Sequence, residues 1–212
     1  MPAGDAKIPF KISIAGGFGA GKTTFVGSLS ETTPVTGEGI MTSAGVEVDD
    51  TRNVPGKMTL TVGHDFGRTT VGDDFVLYLF SAGGQRRNWF MWDELVIGSV
   101  GAVLLVDTRR MADCFAWLDF FEDREVPFVV AINAVDGVQH HHLDDVREAL
   151  DLDPDVPVLV CDARHRGSAQ RVVVALVEHA LTRRLGRERS PVDTPPRKSP
   201  TPAPLPRRKA SL

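Results

Sequence analysis

The sequence has little of what would direct it out of the cytoplasm. Its two cysteines, Cys114 and Cys161, lie far apart in 212 residues, which favours two buried thiols over a disulfide. Residues 1–10 lack the apolar core of a signal peptide, and no apolar run is long enough for a membrane-spanning helix. The last four residues, Lys209-Ala210-Ser211-Leu212, contain no prenylation cysteine. We therefore expect a cytoplasmic protein with no transmembrane segment.

The sequence also lacks a large excess of charge. The formal net charge is −4, which argues against nucleic-acid binding, and a hydrophobic fraction of 42% is enough for a sizeable core. Residues 187–212 differ from the rest, because they carry seven Lys or Arg against two Asp or Glu and are rich in Pro and Ser. We predict one domain over residues 1–186, followed by a disordered basic tail over residues 187–212.

Hydrophobic patterning predicts strands that alternate with helices. A strand at Lys11–Ala15 precedes a helix at Lys22–Leu29, and residues 31–57 form a long loop of the kind that is usually functional. Two strands, Met58–Phe66 and Phe75–Phe80, are predicted to form a hairpin. Later helices are predicted at 86–97, 111–123, 143–150 and 171–185, and later strands at 100–106, 127–132 and 156–160. The helix over 111–123 is predicted to place Cys114, Phe115, Leu118 and Phe121 on one apolar side. Such alternation predicts an α/β fold, a mostly parallel sheet with helices on both faces.

A phosphate-binding loop lies between the first predicted strand and helix. Its residues fit the pattern G-x-x-x-x-G-K-[ST] at every fixed position: Gly16-Gly17-Phe18-Gly19-Ala20-Gly21-Lys22-Thr23. Glycines allow backbone amides to surround an anion, and the helix that follows directs its positive end at the phosphates. Lys22 would reach the β- and γ-phosphates, the Thr23 hydroxyl would ligate Mg²⁺, and Thr24 would complete the nucleotide contacts. The bulky Phe18 either shields the γ-phosphate or packs under a neighbouring helix.

Two later segments resemble the guanine-binding boxes of Ras-like GTPases. The first, Asn133-Ala134-Val135-Asp136, resembles N-K-x-D, in which the Asp136 carboxylate would accept from guanine N1–H and the exocyclic amine. Ala134 replaces the lysine whose stem normally covers the base, and N-x-x-D alone also fits an Asx turn. The second, Cys161-Asp162-Ala163-Arg164, resembles the S-A-K box. The resemblance implies that the Ala163 amide would meet guanine O6 and that Asp162 and Arg164 would line the base.

A third segment, Ser81-Ala82-Gly83-Gly84-Gln85, resembles the D-x-x-G-Q box. Gly84 would donate to the γ-phosphate, and Gln85 would orient the attacking water. Gln85 and the phosphate-binding Lys22 are therefore our candidate catalytic residues. Ser81 replaces the aspartate that normally holds Mg²⁺. Asp65, on the neighbouring predicted strand, is our candidate for the missing carboxylate, and a strand-end cap is the alternative.

The long loop should supply a switch threonine that binds Mg²⁺. Counting back from Gln85 by the spacing usual in small GTPases identifies Thr59. Thr42, Thr51 and Thr61 remain open alternatives.

Residues 10–185 as a whole resemble bacterial Ras-like small GTPases of the conservon type, found in actinobacteria and similar to the bacterial polarity GTPases. The segments that carry this resemblance are Asp65-Phe66-Gly67-Arg68, Asn88-Trp89-Phe90-Met91-Trp92 and Val106-Asp107-Thr108-Arg109-Arg110. The resemblance implies a Ras-like P-loop NTPase with six strands, one of them antiparallel. It also implies a switch that binds GTP or GDP with Mg²⁺ and hydrolyses GTP slowly. An interaction module with little hydrolysis, or with relaxed ATP/GTP preference, is the alternative.

Four consecutive large apolar residues, Trp89 to Trp92, exceed what one helix face can bury. We expect them either to contact a partner, for which the resemblance implies a roadblock-type regulatory protein, or to pack in the core. Membrane recruitment would then be peripheral and through a partner. A P-loop kinase or ATPase is less favoured, because no arginine-rich insertion resembling a phosphate-clamping lid is present.

Overall fold

The computed structural model describes residues 7–34, 38–40, 59–61, 64–83, 91–134 and 141–189. Within them lie a six-stranded sheet and a separate antiparallel pair. The elements run in the order β1 (Ile8–Gly16), α1 (Lys22–Leu29), β2 (Glu38–Ile40), β3 (Thr59–Thr61), β4 (His64–Val71), β5 (Phe75–Ala82), α2 (Trp92–Val96), β6 (Ser99–Val106), a 3₁₀ helix (Thr108–Asp113), α3 (Phe115–Asp123), β7 (Phe128–Asn133), α4 (Leu143–Ala149), β8 (Val158–Cys161) and α5 (Arg166–Arg189).

The large sheet confirms the predicted fold class. Its strand order is β4-β5-β1-β6-β7-β8, and every neighbouring pair is parallel except β4 with β5. β6 and β7 are buried along most of their length, as expected for strands covered on both faces. The carboxyl ends of β1, β5, β6, β7 and β8 therefore meet at one edge of the sheet, where ligands of such folds bind.

Helices cover both faces of the sheet. On one face α1 and α5 bury Phe25 and Leu176 against Ile12 and Leu105. On the other face α2, α3 and α4 enclose a second cluster that includes Trp117. None of the described helices is both long and apolar enough to cross a membrane.

Several predicted boundaries were wrong. The predicted strand Met58–Phe66 is divided between β3, which pairs with β2, and β4, which begins at His64 and forms the hairpin with β5. The predicted helix over 111–123 begins with a 3₁₀ helix that is kinked at Arg110, where φ is −141° and ψ is 43°. Phe115, expected on its buried side, is exposed, because Trp117 occupies the core instead.

Both cysteines are free and buried, as predicted. The last helix starts five residues earlier than expected and continues to Arg189. The rest of the predicted tail, from residue 190 onward, lies outside the described residues.

Candidate nucleotide-binding site

The glycine-rich loop joins the end of β1 to the start of α1, as the motif predicts. Gly16 has φ +144° and Gly21 has φ +101°, a region that favours glycine. A Cβ at Gly16 would lie 2.4 Å from the Leu105 carbonyl oxygen of β6. One at Gly21 would lie 2.4 Å from Nδ2 of Asn133. The loop therefore packs closely against the carboxyl ends of β6 and β7, and positions 16 and 21 require glycine.

Lys22 lies across this loop. Its side chain is buried, and its ammonium donates to the carbonyl oxygens of Gly16 at 3.0 Å and Gly17 at 2.8 Å. Gly21, which precedes α1, supplies no side-chain cap. Because glycine has no side chain, the N-cap residue does not compete with an anion for the amides of the first helical turn, where the helix dipole is positive.

Phe18 is largely buried, with 8% of its surface exposed. This burial favours the packing alternative for Phe18 over a role as an exposed shield of the γ-phosphate.

Asp65 and Ser81 face each other across the β4–β5 ladder. Their Cα atoms are register partners, and the Ser81 hydroxyl donates to Asp65 Oδ2 at 2.8 Å. The Thr23 hydroxyl donates to the same oxygen at 2.7 Å. Ser81 stands where the D-x-x-G-Q box has an aspartate, and the structure brings the carboxylate of Asp65 from the adjacent strand to the P-loop threonine.

The other carboxylate oxygen of Asp65 has no hydrogen-bond partner among the described residues, although Asp65 is fully buried. A buried carboxylate oxygen without a partner is costly unless a cation or water compensates it. The residues present therefore fit Mg²⁺, which prefers one or two carboxylates plus phosphate oxygens and water. Within the described residues no cluster of three His, Cys, Asp or Glu offers a separate all-protein metal site.

Asn133 links the P-loop to the segment after β8. Its Nδ2 donates to the Ala20 carbonyl at 2.9 Å, and its Oδ1 accepts from the Ala163 amide at 3.1 Å. Ala163, which we expected to serve guanine O6, thus donates to an internal acceptor. The Ala134 amide donates to the Cys161 carbonyl at 2.8 Å, so the two predicted base-binding segments lie side by side.

Sequence reasoning missed one feature of this edge, a repeated aspartate–arginine clamp. After β6, Asp107 Oδ1 accepts from the backbone amide of Arg109 at 3.0 Å and from its Nε at 2.9 Å, and Oδ2 accepts from Nη2 at 2.7 Å. After β8, Asp162 makes the same three contacts with Arg164 at 3.0, 2.9 and 2.8 Å. The signal was present as two Asp-x-Arg triplets, each directly following a strand of the parallel sheet.

Electrostatics reinforce both clamps. Burial tends to raise the pKa of Asp107, but hydrogen bonds and charge from Arg109 outweigh it and lower the pKa. Hydrogen bonds from Arg164 hold the pKa of Asp162 well below its ordinary value, and His165 adds a contact at 2.9 Å. Both carboxylates are therefore ionised at neutral pH, and each fixes the plane of one guanidinium.

A second missed contact lies behind the P-loop. Arg110 Nε donates to Asp113 Oδ2 at 2.9 Å, and a Cβ at Gly17 would lie 2.5 Å from the Asp113 Cβ. Burial raises the pKa of the neighbouring Cys114 thiol to about 12. The close approach at Gly17 shows that the 3₁₀ helix packs directly against the P-loop. The raised pKa means that the Cys114 thiol stays protonated at neutral pH.

Other predicted site residues fall wholly or partly outside the described residues. These are Gly84, Gln85 and Asp136, together with Trp89 and Phe90 of the apolar run. Thr59 lies on β3, where the backbone alone is described. Trp92 is 5% exposed and stacks on Trp117 with ring centroids 3.6 Å apart, so its side chain belongs to the core.

A protein-family model described as "Conserved hypothetical ATP binding protein" matches residues 14–183. A search of curated proteins found no match. Among solved structures, the chain is similar to the Arl6 BBS3 small GTPase from Trypanosoma brucei, determined with bound GppNp. The identity is 18% and the TM-score 0.58, over 82% of this chain and 99% of that one.

The chain is also similar to the cytosolic domain of the FeoB iron transporter from T. maritima, in apo form. The identity is 16% and the TM-score 0.55, with 82% of this chain and 64% of that one covered. The FeoB G domain alone matches at 16% identity and a TM-score of 0.52, over 82% of this chain and 99% of that one. At these identities the structural similarity establishes the fold.

Proposed function

The chain belongs to the family of conserved hypothetical ATP-binding proteins, and from its site we propose a nucleotide-operated switch that binds GTP or GDP with Mg²⁺. The family and the fold support the broader conclusion that the chain is a nucleotide-binding protein with a P-loop GTPase-like fold. The choice of guanine, the need for magnesium and a slow hydrolysis of GTP are the proposal.

The observation that carries the proposal is the position of Asp65. One oxygen of this buried carboxylate accepts hydrogen bonds from the P-loop Thr23 and from Ser81, and the other has no partner in the part of the chain that the structure describes. Mg²⁺ bound there would neutralise charge on the β- and γ-phosphate oxygens. Thr23 and Asp65 are the residues that would hold it, with Ser81 orienting the carboxylate.

Lys22 is the second element of the mechanism. In the structure its ammonium is bound by the Gly16 and Gly17 carbonyl oxygens, which hold it over the loop. From this position it needs only a small movement to donate to the β- and γ-phosphates while the loop amides and the dipole of α1 receive the remaining charge. Because the fold has already ordered these groups, the entropic cost of binding a nucleotide is lowered.

Hydrolysis is assigned to Gln85, which would orient a water for attack on the γ-phosphate while the Gly84 amide holds that phosphate. Without an arginine supplied by a partner, we expect turnover on the order of 10⁻⁴ per second. Loss of the γ-phosphate would release Gly84 and the segment carrying Thr59, and this would be the conformational signal.

Three observations favour a second candidate, a module with relaxed purine preference and little hydrolysis. The Ala163 amide is already used by Asn133, Ala134 offers no stem to cover a base, and the family is described as ATP-binding. Guanine selectivity would then rest on Asp136 alone, because adenine lacks the donor pair that this carboxylate accepts.

The deciding experiment identifies the nucleotide that copurifies with the protein and follows single turnover of added GTP and ATP. We expect bound GDP or GTP, slow release of phosphate from GTP, and no turnover with Gln85→Leu. Copurified ATP, or equal competition by ATP, would overturn the guanine assignment. Nucleotide binding unaffected by Lys22→Ala would overturn the site itself.

We also propose a cytoplasmic location and a roadblock-type regulator as partner. Since Trp92 is part of the core, the partner contact would fall to Trp89 and Phe90. We expect Trp89→Ala to abolish capture of such a regulator while the unfolding midpoint stays unchanged. Undiminished capture would contradict this assignment.

A further inference from the structure

Asp65 belongs to a row of three β4 residues that faces α1. Alternate residues of a strand share a face, and Asp65, Gly67 and Thr69 are all buried there. The row begins at the P-loop, where the Asp65 carboxylate accepts from the Thr23 hydroxyl. It ends at Thr69, four residues and about 13 Å further along the strand, where the chain leaves α1 and Glu31 accepts from the Thr69 hydroxyl.

In the middle of this row, α1 lies very close to the β4 backbone. A Cβ at Gly67 would lie 2.7 Å from Cγ1 of Val26 and 3.2 Å from Cβ of Ser30. Val26 is fully buried in the core, where close packing leaves it little room to move away. A side chain at position 67 would therefore push α1 away from β4, and with α1 the Thr23 hydroxyl away from Asp65.

Glu31 fastens the end of α1 to β4 at the far end of the row. Its Oε1 accepts from the Thr69 hydroxyl at 3.2 Å and from the Thr70 amide at 3.0 Å. Its own amide donates to the Arg68 carbonyl at 2.8 Å, and the Arg68 amide donates to Ser30 Oγ at 3.2 Å. The two residues that follow α1 therefore bind the backbone of β4 on the edge that faces away from β5.

Arg166, the first residue of α5, joins the same two elements. Its Nη1 donates to the carbonyl of Leu29, the last residue of α1, at 2.9 Å, and its Nη2 donates to Thr69 Oγ1 at 3.0 Å. The same Nη2 lies 3.8 Å from Glu31 Oε1. The Arg166 and Glu31 side chains are 43% and 40% exposed, so this ion pair adds little to stability, whereas the planar guanidinium spans two acceptors on different elements.

We propose that Glu31 and Arg166 are positioning residues for the magnesium site, which act through the contact of α1 with β4 to keep Asp65 within hydrogen-bonding distance of Thr23. Among the described residues β4 is the edge strand of the large sheet and pairs only with β5. A carboxylate carried by an edge strand depends on contacts beyond the sheet to fix its position, and Glu31 and Arg166 supply them. This inference rests on the proposed function, because it concerns the metal assigned there.

The test is calorimetric titration of the full chain with GTP, once with Mg²⁺ and once with EDTA, and the ratio of the two affinities is the magnesium gain. We expect Glu31→Ala and Arg166→Ala each to reduce this gain by about threefold to tenfold. The double variant should lose little more than the larger single loss, because both residues act in one network. Affinity with EDTA should stay at the wild-type value, because neither residue belongs to the P-loop. Gly67→Ala should also reduce the gain, and adding Val26→Ala, which removes the opposing Cγ1, should restore part of it.

Arg171→Ala is the matched control, since it removes an α5 arginine whose hydrogen bonds to Gly167 and Ser168 remain within that helix, and it should keep the full magnesium gain. A full gain in Glu31→Ala and Arg166→Ala, an equal loss of affinity with EDTA, or the same loss in Arg171→Ala would each overturn the positioning role. The proposed function would survive those results if Asp65→Asn still loses the gain. A wild-type chain that gains nothing from Mg²⁺ would overturn the proposed function and the positioning role with it.

Discussion

At the scale of single residues, the site obtains its carboxylate from a strand other than the one on which the D-x-x-G-Q box would place it. Asp65 supplies the carboxylate that Ser81 lacks, because antiparallel register places the two residues opposite each other with their side chains on one face. A carboxylate on β4 can therefore contact the Thr23 hydroxyl although position 81 of β5 is a serine.

Gly17 is a second residue fixed by its surroundings. We expect Gly17→Ala to lower the free energy of unfolding by about 1–3 kcal/mol, since its Cβ would lie 2.5 Å from that of Asp113. Urea unfolding measures the change. Gly167→Ala, a helical position with nothing within 4 Å of the added Cβ, should be neutral or slightly stabilising. Equal effects of the two substitutions would contradict the close packing of the 3₁₀ helix on the loop.

At the scale of elements, an aromatic stack attaches α2 to α3. Trp92 packs on Trp117 in near-parallel planes and meets Phe120 edge-on. The segment that leads from the proposed switch back to β6 is thereby anchored at Trp92, so any movement on nucleotide exchange should be confined to residues before it.

We expect Trp92→Ala to destabilise the protein by about 3–5 kcal/mol, because it leaves a large cavity beside Trp117. The comparison variant is Phe115→Ala, at the start of α3, where the side chain is 44% exposed, and it should cost under about 1 kcal/mol. Chemical denaturation followed by circular dichroism separates the two. A Trp92→Ala protein as stable as wild type would disprove the anchoring.

The elements that sequence predicted well are those with a strong local signal. The P-loop glycines and the helix that starts at Lys22 are encoded within eight residues, and β6 and β7 are continuous apolar runs. Phe115 was misplaced because periodicity alone does not distinguish which of two overlapping apolar faces the sheet will cover. The contacts of Asn133 join segments 113 and 30 residues apart, and single-sequence patterns do not encode such pairing. The two clamps are local, since each joins an aspartate to the arginine two residues later, but an Asp-x-Arg triplet alone does not show that its side chains pair.

At the scale of the whole molecule, stability should depend on pH through His179, which is buried on α5. Burial and the nearby Arg183 lower its pKa from 6.5, against a smaller opposing effect of Asp155. The unfolded chain therefore binds a proton at His179 more readily than the folded chain does. The free energy of unfolding consequently decreases as the pH falls below about 6.5, and His179 does not affect its pH dependence above that value. Urea midpoints between pH 5 and 7.5 should decline on the acid side, and His179→Gln should flatten that decline. An unchanged slope would exclude His179 as its source.

The proposed function requires that the P-loop and Asp65 together hold a triphosphate and its metal. The most direct measurement is the affinity for GTP with Mg²⁺ and with EDTA, in wild type, Asp65→Asn and the hairpin-turn control Asp73→Asn. We predict that Mg²⁺ strengthens binding in wild type and Asp73→Asn, that Asp65→Asn loses about 10- to 100-fold of this gain, and that adding Ser81→Asp restores part of it. The same magnesium dependence in Asp65→Asn as in wild type would contradict the account.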